Sequence, residues 1–108
     1  MATKPAPIPS TQDPIHVDSK HYTVEREDER VRVLRIRYGP REKSVMHSHP
    51  SLVGVMLTDA HLRMGYPDGT SEEIRAKAGD VIQFPALAHL PENLSDQPFE
   101  AVVVELKA

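Results

Sequence analysis

Three histidines are the residues of this chain whose types and spacing could do chemistry. His47 and His49 stand one residue apart, and His89 follows at the end of the segment Phe84-Pro85-Ala86-Leu87-Ala88-His89. Residues i and i+2 of an extended strand project from the same face, so both imidazoles of the pair can approach one ion. Neutral imidazole binds zinc, iron and nickel. The trio therefore predicts a mononuclear divalent metal site, with iron, manganese, nickel or zinc as candidate ions.

The remaining composition excludes several other chemistries. The chain has 108 residues and no cysteine, which excludes disulfides, thiolate metal ligands and a cysteine nucleophile. Its 13 basic and 16 acidic residues give a formal charge of −3 without a long basic run, so we expect no nucleic-acid partner. No segment has the apolar length of a signal peptide or a membrane span. We expect a cytoplasmic protein without a membrane partner.

The chain divides into a proline-rich segment and one domain. Residues 1–15 contain four of the ten prolines and are predicted to form an N-terminal arm or tail with neither a helix nor an interior strand. This arm is either disordered or packed against a second subunit. Residues 16–108 are predicted to form a single domain, which is large enough to bury a hydrophobic core.

Short strands separated by turns fill the predicted domain. Residues 30–38 alternate apolar residues with arginines, and a slip at Val33-Leu34 predicts a bulge or a change of sheet. Pro67-Asp68-Gly69-Thr70 indicates a hairpin, and residues 71–78 form either a short strand or a marginal helix. Eight or nine such strands predict an all-β fold, an antiparallel jelly-roll sandwich or barrel.

The segments around the histidines resemble the two sequence motifs of the cupin superfamily, from about Gly39 to Leu106. Gly39 precedes His47-Ser48-His49-Pro50 as in the first motif. The residues that fit the second motif are Gly79, Pro85, His89 and Asn93. The resemblance implies a small cupin-type barrel, the double-stranded β-helix, with His47, His49 and His89 as metal ligands. It also implies a homodimer and a small-molecule ligand or substrate.

Two departures from the cupin pattern bear on the predicted site. Val53 and Gly54 stand where the first motif carries a glutamate, so the ligand set falls to three histidines. Glu42 and Glu92 are not well placed to replace that carboxylate. Leu87 stands in place of a glycine of the second motif and affects loop shape. The three-histidine set resembles that of cupin dioxygenases and implies anionic or enolisable chelating ligands.

We expect a small apolar pocket beside the histidines. Its predicted lining residues are Val53, Val55, Met64, Tyr66 and Gln83. Gln83 is also a candidate neutral ligand, against the alternative of a strand residue that faces solvent. Other residues predicted in the barrel interior are Leu34, Ile36, Leu57 and Leu62.

The remaining histidines and arginines are expected on the surface. His16 and His21 lack a partner pattern, and His61 alternates with the apolar Leu62 and Met64 and is expected beside Arg63 on the outer face. The arginines between residues 30 and 37 either bind an anion or pair across strands with Glu25, Glu27 or the acidic residues around Glu72 and Glu73.

Three functions remain open from the sequence. The first is a metal-dependent dioxygenase acting on a small chelating or enolisable molecule. The second is a non-enzymatic, small-molecule-binding cupin that has lost metal chemistry, and the third is an oxygen-independent isomerase or lyase. No residue stands out as a general base.

Overall fold

The computed structural model describes residues 12–107, which form nine strands and one short helix. The elements are α1 (Pro14–Val17), β1 (Tyr22–Glu27), β2 (Val31–Tyr38), β3 (His47–His49), β4 (Leu52–Met56), β5 (Ala60–Gly65), β6 (Ser71–Ala76), β7 (Val81–Phe84), β8 (Leu87–Asn93) and β9 (Phe99–Leu106). The predicted all-β class is confirmed. Residues 1–11 of the predicted arm lie outside the described residues. Within residues 12–107, no helix has the length and apolar character needed to cross a membrane.

The strands form two antiparallel sheets that pack face to face. One sheet has the order β1-β2-β9-β4-β7, and the other has the order β3-β8-β5-β6. From β3 to β9 the chain crosses repeatedly between the two sheets, which is the winding of a jelly roll. The core between them consists of Tyr22, Leu34, Tyr38, Leu52, Met56, Ala60, Leu62, Met64, Phe99, Ala101 and Val103. The predicted interior positions of Leu34, Leu62 and Met64 are therefore confirmed.

The predicted orientation of β4 is wrong. Leu52, Gly54 and Met56 are buried, whereas Val55 and the following Leu57 are exposed. Every residue of this segment is apolar or glycine, so the sequence pattern carries no phase that distinguishes the two faces. Packing against the opposite sheet decides which face is buried.

A helix forms in a segment where the prolines were expected to prevent one. The side chain of Asp13 caps α1 and accepts a hydrogen bond from the amide of Ile15 at 3.1 Å. Pro14 stands in the first turn of the helix, where a missing N–H costs nothing. The proline is therefore compatible with this helix start, and the aspartate supplies the cap.

The turn between β5 and β6 is the predicted hairpin. The amide of Tyr66 donates to the carbonyl oxygen of Thr70 at 2.9 Å, and Gly69 adopts a φ of 87°. Only glycine adopts that left-handed conformation without strain. Ser71–Ala76 is a strand, so the helical alternative for this segment is wrong.

The predicted bulge exists, but it lies in the neighbouring strand. The register of β1 against β2 shifts between Val24 and Arg26, opposite Leu34 and Val33, while β2 pairs regularly with β9. The extra residue is Glu25, which accepts a hydrogen bond from Arg35 at 2.6 Å. The alternation slip therefore indicates the right place in the sheet and the wrong strand.

Candidate metal centre

Strand pairing brings the three predicted ligands together. In the register of β3 against β8, His47 lies directly opposite His89, and His49 is two residues further along β3. All three side chains are buried, and His47 has no exposed surface at all. One ligand atom from each lies within 4.8 Å of the other two.

The ring nitrogens are oriented for a shared ion. Nε2 of His47 lies 3.1 Å from Nε2 of His89. Two nitrogens that bind one ion at about 2.0–2.1 Å and at angles of about 90–110° lie about 2.8–3.4 Å apart. Nδ1 of His47 donates to the carbonyl oxygen of Val45 at 2.8 Å, and Nδ1 of His49 lies 2.6 Å from Glu105 Oε2. These contacts occupy Nδ1 and leave Nε2 as the ligand atom, so the donor set fits a divalent ion.

Burial keeps two of the rings neutral. It lowers the pKa of His47 from 6.5 to about 4, with a further contribution from neighbouring His49. It lowers the pKa of His89 to about 2, helped by His49 and His47. A metal ion binds the neutral imidazole, so neither ring has to lose a proton at neutral pH before it binds.

Glu105 is a site residue that the sequence reasoning missed. Its carboxylate is 2% exposed and joins His49 to Arg32, whose Nε donates to Glu105 Oε1 at 2.8 Å. In β9 the inward positions alternate from Phe99 onward, and Glu105 is the one charged residue among them. That parity was the available signal, because a buried carboxylate needs a partner.

Two other carboxylates that were considered as replacement ligands lie elsewhere. Glu42 accepts a hydrogen bond from the amide of Gly39 at 2.6 Å. Glu92 pairs with Arg63 at 3.5 Å. Neither belongs to the histidine group within the described residues.

His21 is buried, contrary to the expectation of a surface residue. Its Nδ1 lies 2.8 Å from both oxygens of Asp18, and its Nε2 lies 3.1 Å from Glu42 Oε1. Its ring stacks on Tyr38, with centroids 4.2 Å apart. His16 is exposed, and the half-buried His61 bonds to Glu73 at 3.0 Å.

An apolar cavity of about 50 Å³ lies between the sheets, and His49 and His89 form part of its wall. Its lining residues are Tyr22, Ile36, Tyr38, His49, Leu52, Met56, Leu62, Met64, Ile82, Phe84, His89, Pro91, Phe99, Ala101 and Val103. Of the five residues predicted to line a pocket, Met64 lines this cavity. Val53, Val55 and Gln83 do not, because they lie on the opposite face of their strands. Tyr66 lies outside it, with its hydroxyl bonded to Glu72.

Two tyrosine hydroxyls meet at the cavity wall. The hydroxyl oxygens of Tyr22 and Tyr38 lie 2.6 Å apart. Burial raises the pKa of both phenols, so they stay neutral and retain their protons. The ring of Tyr22 also packs edge-on against His47, with centroids 4.8 Å apart.

Asn93 connects the two motif regions. Its Nδ2 donates to the carbonyl oxygens of Gly39 at 3.0 Å and Gln97 at 2.8 Å, and its Oδ1 accepts from the amide of Ser95. These bonds fix the loops before β3 and after β8. Asn93 therefore has a structural role in holding the histidine strands in place.

Comparison with solved structures identifies the family. The chain is 31% identical to a cupin domain from Bordetella pertussis Tohama I, with a TM-score of 0.74 over 81% of this chain and 92% of that one. No family model and no curated protein matches the sequence. The chain belongs to the cupin superfamily, and its two sheets form the double-stranded β-helix fold.

More distant structures share the same fold. A conserved protein with a double-stranded β-helix domain from Klebsiella pneumoniae MGH 78578 is 22% identical, with a TM-score of 0.63 over 79% of this chain and 74% of that one. Oxalate oxidase in complex with the substrate analogue glycolate is 21% identical, with a TM-score of 0.54. That match covers 68% of this chain and 40% of the oxalate oxidase chain.

Proposed function

We propose that this cupin binds one divalent metal ion through Nε2 of His47, His49 and His89 and acts as a dioxygenase on a small chelating or enolisable molecule. The 3.1 Å separation of the His47 and His89 Nε2 atoms carries the proposal. A bound ion would supply Lewis acidity and redox chemistry with dioxygen. The candidate ions are iron, manganese, nickel and zinc, of which zinc alone lacks redox chemistry.

The cavity restricts the ligand that fits the proposed site. A volume of about 50 Å³ holds only a few heavy atoms, so a substrate must be small or must displace the cavity wall. Three neutral imidazoles leave the charge of a divalent ion uncompensated by its ligands, which favours an anionic chelator. Leu62, Met64 and Phe84 would pack against the apolar part of such a molecule and exclude water.

The residues that line the cavity favour the dioxygenase over an isomerase or lyase. Proton abstraction needs a general base within hydrogen-bond reach of the substrate. Apart from the histidines, the polar side chains that line the cavity are Tyr22 and Tyr38, whose raised phenol pKa values make them poor bases at neutral pH. A reaction that relies on the ion and on dioxygen does not require a general base among these residues.

The small cavity volume also supports a second candidate, a non-enzymatic small-molecule-binding cupin.

Metal analysis tests whether the protein binds the ion that the dioxygenase proposal requires. Untagged protein supplied in turn with iron, manganese, nickel and zinc is expected to retain about one equivalent of one of them, and His47→Ala is expected to lose it. His61→Ala is the matched control, because His61 bonds to Glu73 outside the site. Metal retention far below one equivalent in the wild type would contradict the dioxygenase proposal and favour the non-enzymatic candidate.

Oxygen uptake tests the reaction class. The metal-loaded protein is offered a small diketone, a thiol and glycolate, the molecule that oxalate oxidase holds in its structure. Consumption of dioxygen that requires both a probe and His89 supports the dioxygenase. Turnover of a probe at an unchanged rate without oxygen assigns the isomerase or lyase class instead.

We also propose that two copies of the chain pair through the outer face of the five-stranded sheet. Val81, Val55 and Val102 form a row across β7, β4 and β9, and Val81 is 70% exposed. The row is uncharged, so the same surface on a second copy can pack against it in a two-fold dimer. Light scattering is expected to give a dimer mass that Val81→Asp halves, and a monomeric wild type would contradict the proposal.

A further inference from the structure

The N-terminal segment, residues 12–18, contacts the outer side of the histidine strand. The side chain of Gln12 accepts a hydrogen bond from Ser48, the residue between the two β3 histidines, at 2.9 Å. The same segment also carries Asp13 and Asp18, two carboxylates that are partly or fully buried. Each of them begins a hydrogen-bonded chain that ends on a different histidine.

The first chain leads from Asp13 to His49. Both oxygens of Asp13 accept from the guanidinium of Arg32, at 2.8 and 2.9 Å. The same guanidinium donates to Glu105 Oε1, and Glu105 Oε2 lies 2.6 Å from His49 Nδ1. Arg32 and Glu105 are largely buried, so this geometry has little competition from water.

The second chain leads from Asp18 to His47. The hydroxyl of Ser44 donates to Asp18 Oδ2 at 2.5 Å, and Ser44 Oγ lies 3.2 Å from His47 Nδ1. His21 holds the carboxylate of Asp18 from the other side at 2.8 Å. The position of Ser44 beside His47 is therefore set by the N-terminal segment.

We propose that the N-terminal segment, residues 12–18, is the positioning element of the three-histidine site. It orients His49 through Asp13, Arg32 and Glu105, and it orients His47 through Asp18 and Ser44. The role in metal binding rests on the proposed function. The role in orienting the rings is a property of the metal-free chain and can be measured without an ion.

The tautomer of His49 is the quantity that this arrangement controls. A carboxylate only accepts, so Glu105 holds the proton of His49 on Nδ1 and keeps the Nε2 lone pair free. In Glu105→Gln, Arg32 only donates and therefore keeps the amide oxygen on its own side. The amide NH₂ then faces His49 Nδ1, which must accept, and the ring proton moves to Nε2. This nearly isosteric change would block the ligand atom.

Three variants and one control test the proposal in the full chain. Glu105→Gln inverts the hydrogen bond to His49. Asp13→Asn weakens the hydrogen bonds to Arg32 but keeps a good helix cap. Ser44→Ala removes the hydroxyl that contacts His47 Nδ1. The control is Glu100→Gln, which removes the charge from an Arg–Glu pair between the same two strands, with Arg35 at 2.7 Å, away from the histidines.

The first readout is the nitrogen NMR of the histidine rings in metal-free protein. We expect His49 to change from the Nδ1–H to the Nε2–H tautomer in Glu105→Gln, and its Nδ1 resonance to shift in Asp13→Asn. The Nδ1 resonance of His47 is expected to shift in Ser44→Ala. Glu100→Gln is expected to match the wild type. Unchanged rings in Asp13→Asn and Ser44→Ala would overturn the proposal, whether or not the wild type retains metal.

The second readout is metal affinity by chelator competition, with the absorption spectrum of the cobalt-loaded protein. Loss of an outer hydrogen-bond partner of a ligand weakens metal binding by about 10–100-fold, which we expect for Glu105→Gln. Ser44→Ala is expected to weaken binding less, because the carbonyl oxygen of Val45 still accepts from His47 Nδ1. Asp13→Asn is expected to weaken binding less and to add nothing in the Glu105→Gln background, because both act on one chain. If the wild type binds metal and the three variants bind it as tightly as Glu100→Gln does, the positioning role is overturned and the proposed function is left intact.

Discussion

His47 and His89 face each other through their Nε2 atoms, which lie 3.1 Å apart. In the metal-free chain one of these nitrogens must donate. Nδ1 of His47 carries a proton because it faces the carbonyl oxygen of Val45 at 2.8 Å, and a carbonyl only accepts. With both rings neutral, Nε2 of His47 accepts, so the proton of this contact belongs to His89 Nε2.

Metal binding is therefore expected to move a proton within His89. The metal-free protein should show His89 as the Nε2–H tautomer, and the metal-bound protein should show it as Nδ1–H, because the ion needs the Nε2 lone pair. Long-range proton–nitrogen NMR of uniformly labelled protein measures both states, with His61 as an internal reference outside the site. An Nδ1–H tautomer of His89 in the metal-free protein would contradict a hydrogen bond from His89 Nε2 to His47 Nε2.

Acid is expected to lower the stability of the metal-free protein in a defined pH window. An unfolded histidine takes up a proton near pH 6.5, whereas folded His47 does so near pH 4 and His89 near pH 2. Between pH 6.5 and 4 the unfolded chain binds more protons, so the free energy of unfolding falls as the pH falls. Each histidine contributes up to about 1.4 kcal/mol per pH unit.

Urea denaturation at about pH 7.5 and about pH 5 measures this loss, which we expect to total about 2–4 kcal/mol for the two histidines. The lowered pKa of Glu42, about 2, affects stability only below its ordinary value of 4.5 and so stays outside this window. His89→Gln should retain about half of the pH dependence. Equal stability at both pH values would mean that the rings are protonated in the folded state.

The clustering of the three histidines could be predicted from the sequence, whereas the surroundings of the cluster could not. His47 and His49 share a face because strands have a period of two, and the motif around His89 indicates the third histidine. Glu105 lies 56 residues from His49 along the chain, and their contact depends on how the two sheets pack. A single sequence contains no local pattern for that distance.

The cavity was mispredicted because its lining depends on strand phase. In an apolar run such as residues 52–57, either face can be the buried one. For β5 the alternation with His61 and Arg63 breaks this symmetry, and Leu62 and Met64 are buried as predicted. The buried face of a strand can be predicted from its sequence mainly when the outer face carries polar residues.

Two neighbouring residues of β4 test the observed phase. Leu52 is buried and lines the cavity, whereas Val53 is half-buried on the outer face. Leu52→Ala is expected to lower the free energy of unfolding by about 2–5 kcal/mol, since it removes packed methyl groups and enlarges the cavity. Val53→Ala should cost less than about 1 kcal/mol. Equal costs in urea denaturation would contradict the orientation of β4.

The packing around Gly54 bears on the missing glutamate of the first motif. A Cβ at Gly54 would lie 2.7 Å from Val103 Cγ1 and 3.1 Å from the carbonyl oxygen of Val102. The side chain of Val103 has to shift to admit a Cβ there, and the carbonyl of Val102 has to give slightly, so Gly54→Ala is expected to cost about 1–3 kcal/mol. Gly54→Glu should cost more, without any gain in metal affinity.

Val53→Glu is the matched control, because residue 53 faces outward and its carboxylate cannot reach the histidines. We expect it to change the free energy of unfolding by less than about 1 kcal/mol and to leave metal affinity unchanged. Urea denaturation and chelator competition measure both variants. If Gly54→Glu folded with wild-type stability and bound metal more tightly, then the side chain of Val103 would give way readily at this point. The three-histidine set would then follow from the loss of one side chain and not from the close packing of Val103 against Gly54.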